Sequence, residues 1–230
     1  MRPRIAILGR FAARVDVLRH PGVVVSRPLA ETVWRAGGDP ITVLPVDSPD
    51  GLNWDERLTG IDGILMPGGG DLDPACFGET EVHPEVYGID AVQDATDISL
   101  IRWAVERDFP LLAVCRGFQV LNVALGGTLE QHFEQPHRHQ LHEVQVLAAH
   151  ALIGVAASSV EVSCHHHQRI ARLADGLQAV ARAADGTVEA AVGGPQLVAV
   201  QWHPEDIAAS DAVQQGIVDA FIERIKDQSA

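Results

Sequence analysis

A thiol, an imidazole and a carboxylate in this 230-residue chain have the surroundings that covalent acyl transfer needs: Cys115, His203 and Glu205. Cys115 follows Leu111-Leu112-Ala113-Val114, which reads as a buried strand, and precedes Arg116-Gly117 and a helix-like stretch over 118–125. That is the strand, tight turn, helix pattern of a nucleophile elbow, with the small residues Ala113 and Gly117 on either side of the thiol. A thiol at a helix N-terminus also meets the positive end of the helix dipole, which favours thiolate. His203 and Glu205 stand two apart in Val200-Gln201-Trp202-His203-Pro204-Glu205. In an extended backbone both side chains face one side, so the carboxylate can orient the imidazole. The histidine can then take the thiol's proton while Glu205 holds the tautomer and stabilises the imidazolium. Alone, each piece has an inert alternative: a buried structural cysteine, and a surface turn with a stray histidine.

Acyl transfer also needs donors aimed at the oxygen of a tetrahedral intermediate. Met66-Pro67-Gly68-Gly69-Gly70-Asp71 follows a strand-like run and can supply one backbone N–H, and the Arg116 amide can supply a second. This glycine loop lacks the spacing and the lysine of a phosphate-binding loop, and it lacks a dinucleotide fingerprint. By itself it is equally a bare tight turn. A second concentration of chemistry is Cys164-His165-His166-His167. Thiolate and imidazole are good zinc ligands, but adjacent residues rarely converge on one ion and no second Cys/His pair stands nearby at zinc-ligand spacing. No metal is expected on that reading.

The elements that must position these groups alternate in the first half of the chain. Buried strands are expected over 4–8, 41–46, 63–66 and 111–114, with helices over 28–37 and 95–107 between them. Such alternation predicts a parallel sheet covered on both faces. The second half is richer in strand, over 143–147, 160–163, 179–184, 188–192 and 197–201, and Asp185-Gly186 signals an antiparallel hairpin. The expected architecture is therefore α/β, a three-layer α/β/α sandwich whose central sheet is mostly parallel and partly mixed. An amphipathic helix over 211–226 should pack back onto it, and the polar, histidine-rich stretch 131–142 reads as a mobile loop. Length and the absence of repeats or linkers predict one domain over 1–230.

A formal charge of −14, from 17 basic against 31 acidic residues, speaks against nucleic acid or an anionic membrane as partner. No run approaches the length of a membrane span, and the start of the chain leads directly into a strand-like segment, so a cytoplasmic protein is predicted. Three widely spaced cysteines, Cys76, Cys115 and Cys164, fit a reducing compartment better than a disulfide framework.

Together these motifs resemble the class I glutamine amidotransferase superfamily, whose fold is flavodoxin-like, and within it the γ-glutamyl hydrolase branch (peptidase C26) that includes γ-glutamyl-γ-aminobutyrate hydrolase. The resemblance rests on Pro67-Gly68-Gly69-Gly70-Asp71-Leu72-Asp73-Pro74 with Phe77-Gly78-Glu79, then Cys115-Arg116-Gly117-Phe118-Gln119-Val120-Leu121-Asn122-Val123, Gly126-Gly127-Thr128-Leu129 and Gln201-Trp202-His203-Pro204-Glu205, in the family's order over nearly the whole chain. It implies Cys115 as nucleophile, His203 as general base and acid, Glu205 as orienting carboxylate, and Gly69 with the Arg116 amide as oxyanion hole. It also implies that Gly68 and Gly70 line the substrate pocket and that Gln119 helps hold the glutamyl moiety. Val162-Ser163-Cys164-His165-His166-His167-Gln168 is similar to a family segment bordering the same pocket, which places Cys164, His166 and His167 at the substrate.

The resemblance further implies a small-molecule γ-glutamyl substrate and no cofactor. A glutaminase subunit that hands ammonia to a synthase is the neighbouring reading, and a catalytically silent binding protein the more distant one. Base rates for soluble enzymes leave a homodimer open, with no residue to support it. Three departures from the family stand out. Cys164 replaces the usual Ser, Gln93-Asp94 replaces an Arg-Asp pair, and the span from Leu129 to Val162 is short.

Overall fold

The computed structural model describes residues 1–46, 51–147 and 157–228. In chain order it contains β1 (Arg4–Leu8), β2 (Arg10–Ala12), β3 (Gly22–Val24), α1 (Arg27–Arg35), β4 (Asp39–Val43), α2 (Trp54–Arg57), β5 (Gly63–Met66), α3 (Ala91–Glu106), β6 (Leu111–Val114) and α4 (Arg116–Ala124). There follow β7 (Thr128–Glu130), β8 (His137–Val146), β9 (Ser159–His166), β10 (Arg169–Arg172), β11 (Leu177–Ala183), β12 (Val188–Gly193), β13 (Leu197–Val200) and α5 (Ala212–Gln228). Nine strands form one sheet in the order β4-β1-β5-β6-β13-β12-β11-β8-β9. From β4 to β13 the neighbours are parallel; from β13 to β9 they are antiparallel. The mixed sheet expected from the two halves of the sequence is thus present.

Strict alternation along the central strands divides the core into two layers. Ile5, Ile7, Leu112, Val114, Val198 and Val200 pack on one face with Leu29 and Val33 of α1 and Ile217, Phe221 and Ile222 of α5. Ala6, Leu8, Leu111, Ala113, Leu197 and Ala199 pack on the other with Leu100 and Ile101 of α3 and Phe118 and Leu121 of α4. Registers Met66↔Ala113 and Val114↔Val200 bring the carboxyl ends of β5, β6 and β13 level. Whatever follows those three strands must meet, which is where open α/β sheets place their ligands.

Two expectations are corrected. The histidine-rich stretch read as a loop over 131–142 becomes strand from His137 onward, because β8 pairs with β9 from His137↔His166 to Gln145↔Ser159. The strand expected over 41–46 instead occupies Asp39–Val43, paired in register with β1. Among the described residues no helix is long and apolar enough to cross a membrane.

Candidate active site

Cys115 caps α4 with φ 53° and ψ −109°, a positive φ rare for any residue but glycine and one of three such non-glycine positions among the described residues. Its amide donates to Val200 O at 2.8 Å, which anchors the turn to β13. The turn also requires Gly117, since any side chain there would collide with the Met66 carbonyl. Cys115 is buried at the strand tip.

His203 follows β13, its amide donating to Ser163 O at 2.8 Å, so β9 holds it from the side. Its Nδ1 lies 2.9 Å from Glu205 Oε1. This contact is not made along an extended strand, as the sequence suggested. β13 ends at Val200, and Pro204–Asp206 is a turn of 3-10 helix that brings Glu205 back to the ring. Burial alone would lower the His203 pKa, but the facing Cys115 charge and the contact with Glu205 outweigh it and push the value up to about 11. An imidazolium is therefore stable beside the thiol.

The loop after β5 completes the group. A Cβ on Gly68 would come within 2.8 Å of His203 Cε1, so only glycine leaves the ring its place. Arg10 of β2 fixes the loop from behind, donating through Nε to Gly68 O at 2.8 Å and through Nη2 to Pro67 O at 2.6 Å. With those carbonyls held outward, the Gly69 and Arg116 amides have no hydrogen-bond partner among the described residues. Gly70 sits so close to Gly88 that a side chain would strike its carbonyl. A cavity of about 480 Å³ next to His203 is lined by Arg10, Ser26, Gly68, His165 and Glu205.

Beneath the loop lies an ion cluster that motif reading missed. Buried Arg116 pairs with Asp94 and Asp97, and Arg10 Nη1 pairs with Asp97 at 2.8 Å. Gln93 joins through Nε2 to Asp97 Oδ1 at 2.9 Å. The guanidinium that joins Gln93 at Asp97 comes from Arg10, far away in sequence. Burial lowers the Arg10 pKa to about 10 despite Asp97, while burial raises Asp94. The one signal in the sequence is an arginine two residues past the end of the first strand.

The remaining predicted residues divide. Gln119 is buried, its Nε2 3.2 Å from Gln168 O and 3.4 Å from Gln201 Oε1, so it bridges α4 to the segments leading into and out of the site. His167 Nε2 meets Asp71 Oδ2 at 2.8 Å and its Nδ1 lies 3.0 Å from His132 Nδ1. Cys164 and His166 point to the opposite face of β9 from Ser163 and His165, into a second group with His137 and Glu189, and they do not line the cavity beside His203. Both are fully or almost fully buried.

Two Cys/His/Glu groups thus coexist, and they differ physically. Cys164 lies within a regular strand, with burial and Glu189 pushing its thiol far above the ordinary range. Cys115 lies at a strand tip, at a helix N-terminus and beside a charged imidazole. Only the second setting is that of a reactive thiol. A model of one family matches residues 3–205.

The chain belongs to the peptidase C26 family.

Its relatives include proteins named as amidotransferases and proteins named as hydrolases. A Mycobacterium tuberculosis protein, provisionally named a glutamine amidotransferase, is 36% identical over 219 residues, covering 90% of this chain and 70% of its own. The γ-glutamyl-γ-aminobutyrate hydrolase PuuD of Escherichia coli K12 is 30% identical over 237 residues, covering 94% and 92%. The crystal structure of a glutamine amidotransferase from Thermotoga maritima superposes with a TM-score of 0.64 at 15% identity, over 98% of each chain. The α/β fold of this C26 hydrolase is that of the class I glutamine amidotransferases.

Proposed function

We propose that this C26 hydrolase cleaves γ-glutamyl amides, with γ-glutamyl-γ-aminobutyrate or a similar amine conjugate as substrate, through a thioester on Cys115. The observation that carries the reading is the strained Cys115 elbow opposite His203, whose other nitrogen is held by Glu205 at 2.9 Å. The Cys115 thiolate attacks the γ-carbonyl, and the oxygen that gains charge is met by the Gly69 and Arg116 amides. His203, as imidazolium, protonates the leaving amine as the C–N bond breaks. Neutral His203 then takes a proton from water, which attacks the thioester to release glutamate and restore the thiol pair. Glu205 touches no reacting atom; it fixes the tautomer and stabilises the imidazolium.

Arg138 supports a glutamyl ligand in particular. It stands at the second residue of β8 with its guanidinium over the Tyr87 ring, and it lines a cavity of about 550 Å³ with His139 and His165. His165 also lines the cavity beside His203, so the two spaces adjoin. Arg138 forms no ion pair among the described residues, and a guanidinium in that position can receive the α-carboxylate of a glutamyl group.

The test is to incubate the protein with γ-glutamyl-γ-aminobutyrate, γ-glutamyl peptides and glutamine, following glutamate and ammonia. In parallel, an electrophilic glutamine analogue such as 6-diazo-5-oxonorleucine is mapped by peptide mass spectrometry. Release of glutamate from an amine conjugate, with the label on Cys115, is expected. A label on Cys164 would overturn the assignment. Turnover of glutamine alone, rising with an added synthase, would transfer the protein to the glutaminase reading that the amidotransferase names favour.

A further inference from the structure

The second Cys/His/Glu group has no part in that chemistry, yet its composition and geometry are specific. His137 and His166 face each other in register on β8 and β9, Cys164 precedes His166 by two on the same face, and Glu189 reaches in from β12. β11 pairs with β8 only from Ala181 to Ala183, opposite 144–146, so the far end of the β8–β9 hairpin is free to approach β12. One donor atom from each of the four residues lies within 4.8 Å of all the others. Individual separations are 3.0 Å from His137 Nδ1 to Glu189 Oε1, 3.5 Å from His166 Nε2 to Glu189 Oε1, and 3.8 Å from Cys164 Sγ to Glu189 Oε2. A tetrahedral zinc site has ligand–ligand edges of roughly 3.3–3.8 Å, from bonds of about 2.0–2.3 Å.

The hydrogen bonding around the group is that of ligands held from outside. His166 donates Nδ1–H to Gln168 O at 2.9 Å, which fixes its tautomer and turns the Nε2 lone pair inward. That nitrogen is buried and makes no hydrogen bond among the described residues, its acidic neighbour Glu189 Oε1 standing 3.5 Å away. His137 presents Nδ1 inward and Nε2 outward, 3.5 Å from Asp185 Oδ2, a carboxylate behind an imidazole. His142 Nε2 stands 3.2 Å from Cys164 Sγ, placed to hydrogen-bond a thiolate.

Charge gives an independent argument. Glu189 is fully buried, and the only basic groups facing it among the described residues are the imidazoles of His137, His142 and His166, so the positive charge that offsets it is either an imidazolium or a metal ion. Two neutral imidazoles, a thiolate and a carboxylate around a dication sum to zero, which suits a dry interior, and coordination is what would ionise so buried a thiol. We infer that His137, Cys164, His166 and Glu189 form a structural site for a zinc-class divalent metal, closed by four protein ligands and tying the β8–β9 hairpin to β12. A reading along the chain alone gives Cys164 and its neighbouring histidines no partners for a metal; the other two ligands of this site come from β8 and β12.

The metal would act on the neighbouring site only by holding β9. Ser163 and His165 alternate with the ligands on that strand, and the Ser163 carbonyl receives the His203 amide.

The test uses tag-free full-length protein, stripped with a chelator and reloaded with Zn²⁺ or Co²⁺. Expected are about one equivalent of metal per chain after desalting and, with Co²⁺, the visible bands of a four-coordinate ion with thiolate-to-metal charge transfer. Charge transfer should persist in Cys115→Ala and vanish in Cys164→Ser, and His166→Ala should weaken Zn²⁺ binding by more than about 10-fold. Circular dichroism shows whether the variants fold. X-ray absorption on zinc-loaded wild type needs no variant, and should find one sulfur among the four ligands. A folded wild type that retains no metal overturns the inference, as does a first shell without sulfur. So does charge transfer lost in Cys115→Ala but kept in Cys164→Ser, which would place the ion near His203, Glu205 and Asp206, the other such group among the described residues.

Discussion

The pairing of His203 with Glu205 and Cys115 determines how the site answers to pH. Burial opposes the charge, the two partners favour it, and the folded value reaches about 11 from an ordinary 6.5. A value raised on folding gives stability that is complete below about pH 6.5 and is lost as pH climbs through about 11. In the proposed cycle the proton that His203 gives to the leaving amine is held across the neutral range, and the alkaline fall in kcat/KM should come near the upper value. Glu205→Gln removes a charge that raises His203, so the alkaline limb should move to lower pH while kcat drops by about 10²–10⁴-fold. A pH–rate profile with the limb unmoved would remove Glu205 from this role. Cys115→Ala should lower kcat by at least about 10³-fold while leaving fold and melting temperature largely intact. Gly68→Ala tests the room reserved for the ring. Its Cβ would lie 2.8 Å from His203 Cε1, and displacement of about 1 Å should cost around 10²-fold in kcat with little change in thermal unfolding.

At the level of elements, three strand ends and one helix start deliver the expected catalytic groups, and the stiffness behind them comes from α3. Asp97 is fully buried and serves both Arg10 and Arg116, so Asp97→Asn would leave two guanidinium groups to share Asp94. Breaking a buried ionic group on one side costs about 3–5 kcal/mol, which urea unfolding should read as a lower midpoint at unchanged slope. An unchanged midpoint would mean that water already screens the group. These elements also show what the sequence could convey. The unbroken apolar runs Ile5 to Leu8 and Leu111 to Val114 displayed the parallel half of the sheet, because each strand buries both faces. The elbow was legible because its constraints are local: a strand, a thiol and a glycine with no room for a side chain. Arg10 was not legible, since its meaning lies in carbonyls near residue 68 and a carboxylate at 97. Nor was the first half of β8, where His137 turns to Glu189 rather than contributing to an apolar face; only its continuation over 143–147 read as strand. The resemblance of the whole 162–168 segment to a family segment places Cys164 and His166 at the substrate, without regard to which face of a strand each occupies. Period-two alternation sends the odd and even positions of β9 to different chemistry.

For the molecule as a whole, a formal charge of −14 on 230 residues means that the folded state confines more repulsion than the extended chain does. The ions that matter to the site are spared from screening, since Asp94, Asp97 and Arg116 are buried together. Exposed pairs such as Arg14–Asp16 and Arg27–Glu31 contribute little attraction that salt could remove. Adding salt should therefore relieve repulsion at the surface while leaving the interior pairs in place. Raising sodium chloride from about 20 to 150 mM shortens the screening length to about 8 Å. A gain of about 1 kcal/mol should follow, seen as a rise of about 2–4 °C in melting temperature at pH 7.5. Calorimetry at several salt concentrations measures it, and a melting temperature that falls with salt would show that surface ion pairs, rather than net charge, dominate the electrostatics of the fold.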